Sequence, residues 1–262
     1  VSMLTGIDYP ERFPDDEAIV KKNEPFEDGR HKPVSVTTIF EIAKGEGLQT
    51  ALIATDKRIK YVEKLKTLDV AQYLISDDEG LQFAIDLLSN KQGQPHLLFL
   101  HLIETDRAGH RYGWGNDKTG CPPSPQYLEA LQNIDQRIGK LVKTLEQLNL
   151  WSQTLLIITS DHGGIDKGHG GGTTDELTIP WIVAGGLAQK RGQLQMERTI
   201  RVFDTAPTAL AALDLPIPSG WDGKPIWEVL QGIVKPPFST KAQRKGNLLD
   251  TETELMSYCC MD

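Results

Sequence analysis

Two aspartates and three histidines, residue types that bind metal ions, lie in two short stretches of the sequence. Asp106 and His110 are four residues apart, a spacing that puts a carboxylate and an imidazole on one side of a helical turn. Asp161 and His162 are adjacent, and His169 follows within a run of glycines. Glycine beside a ligand lets the backbone take positive φ and lets an ion or a substrate approach closely. Nitrogen and carboxylate ligands without thiolate favour zinc, with manganese or iron as alternatives.

The number of ligands favours two metal ions over one. An open catalytic zinc site uses about three protein ligands, and these stretches offer more. Two ions a few ångströms apart can stabilise both the attacking and the leaving oxygen of an in-line displacement at phosphorus. A single Asp or His at a strand end is more often a cap or a hydrogen-bonded loop residue, so the prediction depends on the joint pattern.

The elements that must position these residues alternate between strands and helices. Short apolar runs bounded by polar or turn residues predict buried strands, and both ligand stretches follow such runs. The clearest amphipathic helix covers 124–150, and another begins near Asp204. The alternation predicts an α/β fold, a three-layer α/β/α sandwich with a mostly parallel sheet and ligands at the carboxyl ends of its strands. The predicted strands are 49–55, 70–76, 96–102, 154–160 and 179–184.

Composition excludes several other classes of protein. The chain has 262 residues, with 28 Lys and Arg against 36 Asp and Glu and a formal net charge of −8. The acidic balance argues against a nucleic-acid groove. No apolar run approaches the ~20 residues of a membrane span. The three cysteines form neither a disulfide framework nor a zinc-finger pattern.

The chain divides into a predicted catalytic domain over 1–234 and a C-terminal extension over 235–262. The extension shows little periodicity, so we expect a peripheral or disordered segment. Within the domain, 8–33 is polar and rich in charge and proline, and 113–125 is a second irregular stretch. We expect these two stretches to form loops or a lid that influence the choice of substrate.

Several motifs resemble the alkaline phosphatase superfamily, and most closely its type I phosphodiesterase/nucleotide pyrophosphatase branch. The pairing of Asp-His-Gly with Gly-His-Gly is specific to the superfamily and less so to the branch. The resemblance implies an alkaline phosphatase-like fold. It rests on Ser2–Gly6, on 106–113, on 159–172 and on 204–208, and residues 218–224 resemble the family's closing segment.

The resemblance implies roles for the candidate ligands. Asp106, His110 and His169 would hold one divalent ion, and Asp161 and His162 would hold a second, with zinc favoured for both. In the family an Asp after the first strand and a Thr or Ser nucleophile also bind the second ion, and by position both fall before Val1. Ser2 and Thr5 match positions downstream of the nucleophile and do not replace it.

The function implied is a metal-dependent phosphoric ester hydrolase that acts on a small-molecule phosphate ester. The activated hydroxyl would attack phosphorus to form a phospho-enzyme, which a metal-bound hydroxide would hydrolyse. Since the first strand and the nucleophile are missing from domain 1–234, we expect the chain as given to be inactive. The resemblance also implies a periplasmic or secreted location.

Two alternatives stay open. A sulfatase or phosphonate hydrolase would share the fold; such sulfatases place a modified Cys or Ser at the nucleophile, in a Cys-x-Pro-x-Arg context that only upstream sequence could reveal. The chain could equally be an inactive metal-binding fragment that keeps ligands without chemistry.

The remaining candidates are weaker. Glu104 and Asp166 are candidates for orienting the ligands. Trp114 could stack on a substrate ring or simply pack. The other histidines, His31, His96 and His101, are expected to be structural, with the last in the core.

Overall fold

The computed structural model describes residues 2–8, 34–190 and 192–233. Residues up to Gln231 form one compact unit. His31, most of the predicted lid and the C-terminal extension from residue 235 lie outside the described residues. Within the described ranges, no helix combines the length and the apolar character that spanning a bilayer requires.

All five predicted strands are present, each slightly shorter than predicted. β1 (Thr50–Ala54) lies between β2 (Val70–Tyr73) and β3 (Leu97–His101), and both neighbours run parallel to it. β4 (Leu156–Thr159) and β5 (Trp181–Ala184) form a separate antiparallel pair. The predicted α/β fold with a mostly parallel sheet is therefore confirmed, with β5 as the exception.

The antiparallel direction of β5 follows from its connection to β4. A parallel return needs a crossover that covers one face of the sheet, usually an α-helix. The β4–β5 connection contains one helix of four residues, Thr174–Leu177, which is too short for that purpose. The rest of the connection is the glycine-rich stretch that carries the predicted ligands.

Helices flank the strands on both sides. The long helix predicted over 124–150 begins at Pro125, where the Ser124 hydroxyl accepts a hydrogen bond from the Tyr127 amide, and it ends at Gln147. The helices in chain order are α1 (Ser2–Thr5), α2 (Ile39–Gly45), α3 (Asp77–Ser89), α4 (Glu104–Tyr112), α5 (Pro125–Gln147), α6 (Thr174–Leu177) and α7 (Thr205–Ala212), with single 3-10 segments at 57–62, 151–153, 202–204 and 227–229.

Two hydrophobic clusters, one on each face of the sheet, produce the three layers. Because successive side chains of a strand point to opposite faces, Leu97 and Phe99 of β3 pack with α2 and α7, around Phe40 and Leu210. Leu98 and Leu100 pack instead with α3 and α5. β1 is fully buried between the two clusters.

Asp204 is the residue before α7, but its side chain makes no capping hydrogen bond to that helix. Its buried carboxylate accepts hydrogen bonds from the Arg201 and Lys224 amides at 2.8 Å each and pairs with Arg198 at 2.6 Å. Its backbone carbonyl accepts from the Thr208 hydroxyl. The side chain therefore joins separate segments of the chain instead of the first turn of its own helix.

Candidate metal centre

The candidate ligands meet at the carboxyl ends of β3 and β4. Asp106 and His110 lie in α4, which begins three residues after β3. Asp161 and His162 come directly after β4 and Ser160. His169 lies in the following glycine-rich loop. The structure thus brings together residues from both sheets, at the strand ends where ligands bind in parallel α/β proteins.

The Oδ1 atom of Asp106 is the centre of this group. The Nε2 atoms of His110, His169 and His162 lie 3.4, 3.7 and 4.0 Å from it. One ligand atom each from Asp106, His110 and His169 lies within 4.8 Å of the other two. A cation of zinc size, with ligand bonds of ~2.0–2.2 Å, fits such a group after small adjustments of the side chains.

Backbone carbonyls orient two of the imidazoles. Nδ1 of His110 lies 3.0 Å from the Lys167 carbonyl oxygen, and Nδ1 of His162 lies 2.8 Å from the carbonyl of Gly163. A carbonyl only accepts hydrogen bonds, so each Nδ1 carries the proton. In the neutral ring this tautomer leaves the Nε2 lone pair available, as in metal-bound histidines.

Asp106 Oδ1 is buried and has no hydrogen-bond partner among the described residues. A neutral imidazole offers no proton at Nε2, so lone pairs of nitrogen and of carboxylate oxygen face one another across 3.4 to 4.0 Å. Buried polar atoms are normally satisfied, and a cation between these lone pairs would satisfy all of them. The donor set therefore fits a divalent metal ion.

The second pair of predicted ligands is more open. Asp161 Oδ2 lies 3.7 Å from His162 Nε2, and the Asp161 side chain is 72% exposed. His162 Nε2 is almost as close to Asp106 as to Asp161, so distance alone does not assign it to one ion. Asp161 and His162 therefore offer two candidate ligands beside the Asp106, His110 and His169 group.

The His162 and His169 rings stack at 3.6 Å between centroids, with 16° between their planes. Two protonated rings in that arrangement would repel each other. Burial lowers the pKa of His169 below its ordinary value, and the neighbouring His162 lowers it further. Both effects favour the neutral imidazole that can bind a metal.

Trp114 packs against the backbone of both ligand stretches. A Cβ at Gly109, in the first stretch, would lie 2.1 Å from the indole, and one at Gly164, in the second, would lie 2.3 Å from it. The indole also meets the His110 ring edge to face at 4.9 Å. The glycines beside the ligands therefore make room for Trp114, whose half-buried indole lies between the two stretches.

Glu176 holds the glycine-rich loop that contains His169. Its carboxylate accepts hydrogen bonds from the Gly171 amide at 2.7 Å and from the amide and hydroxyl of Thr173. The Thr173 hydroxyl and the Gly171 amide keep the pKa of Glu176 below its ordinary value. The Thr-x-x-Glu spacing is a capping-box pattern, a signal in the sequence that our prediction did not use.

Asp77 fixes the beginning of α4. This buried carboxylate, in the first turn of α3, accepts hydrogen bonds from the Ile103 amide at 3.0 Å and the Glu104 amide at 2.9 Å. It also accepts from the Thr55 hydroxyl at 2.7 Å. Asp77 thus satisfies amides at the start of the helix that carries Asp106. Asp77 and Ile103 are 26 residues apart, and no local sequence pattern predicts this contact.

The weaker candidates have other partners. Glu104 pairs with Arg137 of α5, and the Asp166 carboxylate accepts a hydrogen bond from the Asn116 side chain at 3.0 Å. Within the described residues, neither carboxylate forms a hydrogen bond or an ion pair with a predicted ligand. His96 Nδ1 accepts from the Gln49 amide, a structural contact. His101 ends β3 and is half-buried, and burial lowers the pKa of its imidazole.

Taken together, the three-layer fold and the Asp/His group define an alkaline phosphatase-like α/β protein. The family model for type I phosphodiesterase/nucleotide pyrophosphatase matches residues 14–170. That match covers more than half of the sequence, and the chain belongs to this family. The resemblance predicted from the motifs is thereby confirmed.

Two curated relatives illustrate the range of the similarity. The human GPI ethanolamine phosphate transferase 2 catalytic subunit is 29% identical over 146 residues, which are 54% of this chain and 14% of that protein. Human ectonucleotide pyrophosphatase/phosphodiesterase family member 1 is 40% identical over 73 residues, 28% of this chain and 7% of that protein. The chain therefore spans less than a fifth of the length of either relative.

Solved structures share the fold at low identity. BT4656 in complex with its substrate D-glucosamine-2-N,6-O-disulfate superposes with a TM-score of 0.60 and 16% identity, over 92% of this chain and 71% of that one. The phosphonate monoester hydrolase from Silicibacter pomeroyi gives a TM-score of 0.56 and 14% identity, over 91% and 67%. These likenesses concern the architecture alone.

Proposed function

We propose that this chain is the metal-binding part of a phosphoric ester hydrolase of the phosphodiesterase/nucleotide pyrophosphatase type. The observation that carries the proposal is the convergence of Asp106, His110 and His169 around a buried carboxylate oxygen that has no hydrogen-bond partner among the described residues. Membership of the type I phosphodiesterase/nucleotide pyrophosphatase family supports the proposed reaction class, hydrolysis of a small-molecule phosphate ester.

Asp106, His110 and His169 would hold one divalent ion, and Asp161 and His162 would contribute to a second, with zinc favoured by the ligand types. When bound, the ions would activate the nucleophile and neutralise charge on the phosphoryl and leaving oxygens. The family resemblance implies a Thr or Ser as the nucleophile. A periplasmic or secreted location remains part of this proposal and rests on the family resemblance.

The chain's own residues prepare the site for this task. The carbonyls of Lys167 and Gly163 keep Nδ1 of His110 and His162 protonated, so that Nε2 is free to bind. Glu176 fixes the loop that carries His169, and Trp114 keeps the two ligand stretches in contact. Such preorganisation lowers the reorganisation needed when a phosphoryl group arrives.

The test is substitution of the ligands in the full-length protein. Asp106→Asn and His169→Ala should each lower the bound zinc, measured by inductively coupled plasma mass spectrometry. The rate of bis(p-nitrophenyl) phosphate hydrolysis should fall by more than about a hundredfold. Substitution of a residue that only hydrogen-bonds to a metal ligand already lowers metal affinity or activity by about 10–100-fold.

The matched control is Asp135→Asn, which changes an exposed carboxylate on α5. It should keep the metal content and turnover of the unmodified protein. Unchanged zinc content and turnover in Asp106→Asn and His169→Ala would refute the proposal.

The assay also distinguishes three other reactions: hydrolysis of a sulfate ester, hydrolysis of a phosphonate monoester, and transfer to an alcohol. Faster cleavage of an aryl sulfate than of an aryl phosphodiester would assign a sulfatase, and a phosphonate monoester can be compared in the same way. Transfer of the phosphoryl group to an added alcohol, in preference to water, would point to the transferase chemistry named for the human ethanolamine phosphate relative. Bound zinc without turnover on any of these substrates would indicate an inactive metal-binding protein.

A further inference from the structure

Two buried side-chain polar atoms have no hydrogen-bond partner among the described residues, Asp106 Oδ1 and His101 Nδ1. Buried polar atoms are normally satisfied, so each such atom needs an explanation. The candidate metal centre accounts for the Asp106 oxygen. No step of the proposed function uses His101, and its imidazole therefore remains to be explained.

His101 lies at the end of β3 that faces the candidate metal centre. It is the last residue of the strand and is paired in register with Ala54 of β1. Its carbonyl oxygen accepts a hydrogen bond from the Thr55 amide at 3.2 Å. Because side chains alternate along a strand, His101 shares the face of Leu97 and Phe99. The parallel sheet thus holds this imidazole at the edge where the candidate ligands meet.

Asp161 is the charged residue with the largest effect on this imidazole. Burial lowers the pKa of His101, and the Asp161 carboxylate acts most strongly in the opposite direction, ahead of Asp56 and Asp77. Tyr61 packs into the hydrophobic cluster on the same face of the sheet. Burial raises the pKa of Tyr61 to about 12, and Asp161 is again the charged group that contributes most. Both effects place the Asp161 carboxylate near the end of β3.

The Asp161 carboxylate has oxygens available for a further partner. Its side chain is 72% exposed, and Oδ2 lies 3.7 Å from His162 Nε2, beyond hydrogen-bond distance. A carboxylate that binds a metal ion is itself hydrogen-bonded in most sites, and that bond orients it. A neutral imidazole carries its proton on one of its two nitrogens. With the proton on Nδ1, His101 can donate to such an oxygen.

We propose that His101 is a positioning residue of the metal centre, whose Nδ1 donates a hydrogen bond to the Asp161 carboxylate when that carboxylate binds the second ion. The buried nitrogen is then satisfied in the metal-bound protein. This inference rests on the proposed function, because it takes Asp161 and His162 as ligands of a second ion. It adds a residue of the parallel sheet to a pair of ligands that both follow β4.

Three substitutions separate the two nitrogens of the ring. His101→Asn puts an amide group near the position of Nδ1, His101→Gln puts one near Nε2, and His101→Phe keeps a ring without nitrogen. Zinc is titrated by calorimetry into the metal-free, full-length protein. The dissociation constant of the second zinc ion should rise by about 10–100-fold in His101→Phe and His101→Gln. It should stay close to that of the unmodified protein in His101→Asn, and the first zinc ion should bind equally well in all three variants.

Stability and a cobalt spectrum distinguish positioning from a purely structural role. A buried polar atom without a partner costs free energy, so the thermal midpoint of metal-free His101→Phe should not fall. With Co²⁺ in place of zinc, the visible absorption of the second ion should change in His101→Phe and be restored in His101→Asn. The control is His96→Phe, which changes an exposed histidine just before the other end of β3. Its affinities for both zinc ions should equal those of the unmodified protein.

The outcomes also separate this inference from the proposed function. Second-ion affinity that is unaltered in His101→Phe, or equally weakened in His101→Asn and His101→Gln, would overturn the inference and leave the proposed function standing. Loss of both ions together with a lower thermal midpoint would assign His101 a structural role and contradict the inference. If the unmodified protein binds a single zinc ion, the inference and the second ion both fail, while the Asp106 group keeps its own test.

Discussion

At the scale of single residues, the glycines of the two ligand stretches serve packing as well as flexibility. At Gly109 and Gly164 the Trp114 indole occupies the space that a side chain would need, so only glycine fits at these two positions. Trp114 contacts the His110 ring on the same side. Trp114 therefore sets the distance between a helix and a loop that both carry candidate ligands.

Gly109→Ala should destabilise the protein by about 1–3 kcal/mol, because the new methyl group must displace Trp114 or α4. Its zinc affinity should fall as well, since His110 moves with the helix. Urea unfolding and zinc titration measure the two effects.

Gly139→Ala is the matched change in α5, where a Cβ would meet no atom within 4 Å. Alanine in an open helical position should stabilise by up to about 1 kcal/mol. Equal effects of the two substitutions would show that Trp114 does not constrain Gly109.

At the scale of elements, α4 owes its position to contacts at both ends. Asp77 accepts hydrogen bonds from the Ile103 and Glu104 amides where the helix begins. Arg137 of α5 pairs with Glu104 and with Asp78. At the other end, the Trp114 amide donates to the Asp166 carbonyl at 2.7 Å. These contacts hold Asp106 and His110 opposite the loop that follows β4.

Asp77→Ala should cost about 1–3 kcal/mol of unfolding free energy, because amides at the start of α4 lose their acceptor in a buried place. The dissociation constant for zinc should rise in the same variant, since α4 carries two of the ligands. Asp77→Asn retains one acceptor oxygen. Its unfolding free energy should therefore lie between those of Asp77→Ala and the unmodified protein.

Asp86→Ala, on the exposed face of the same helix α3, should stay within about 0.5 kcal/mol of the unmodified protein. Zinc affinity that is unaltered in Asp77→Ala would mean that Asp77 supports the fold and has no influence on the metal centre.

At the scale of the whole described unit, the candidate centre connects two separate sheets. α4 follows β3 of the parallel sheet, and the loop with His169 follows β4 of the antiparallel pair. β3 and β4 are both only partly buried, whereas β1 between its neighbours is fully buried. An ion at Asp106 would therefore add a further link between α4 and the loop after β4, which Trp114 and Asp166 already join.

Zinc should accordingly stabilise the protein as a whole. At a free zinc concentration of about 100 times the dissociation constant, one site adds about 2.7 kcal/mol to the unfolding free energy. Chelation should remove this gain, and His169→Ala should respond to neither zinc nor chelator. If the denaturant unfolding curves recorded in the presence and in the absence of zinc coincide, zinc binding does not stabilise the fold and the prediction is wrong.

The sequence by itself determined the strands, the long helix and the identity of the candidate ligands. These features are local, because each can be recognised within a short window of sequence. Examples are the apolar runs around Leu52 and Ile158, the periodicity of 125–147 and the spacing of Asp106 and His110. Family membership was also predictable, because the motifs stand in characteristic order along the chain.

Only the tertiary structure decided which distant residues support those ligands. Asp77 meets α4 from another helix, Trp114 fits between two glycines 55 residues apart, and β5 returns antiparallel because its connection lacks a covering helix. Such contacts join positions far apart in sequence, and periodicity and spacing report only on neighbours.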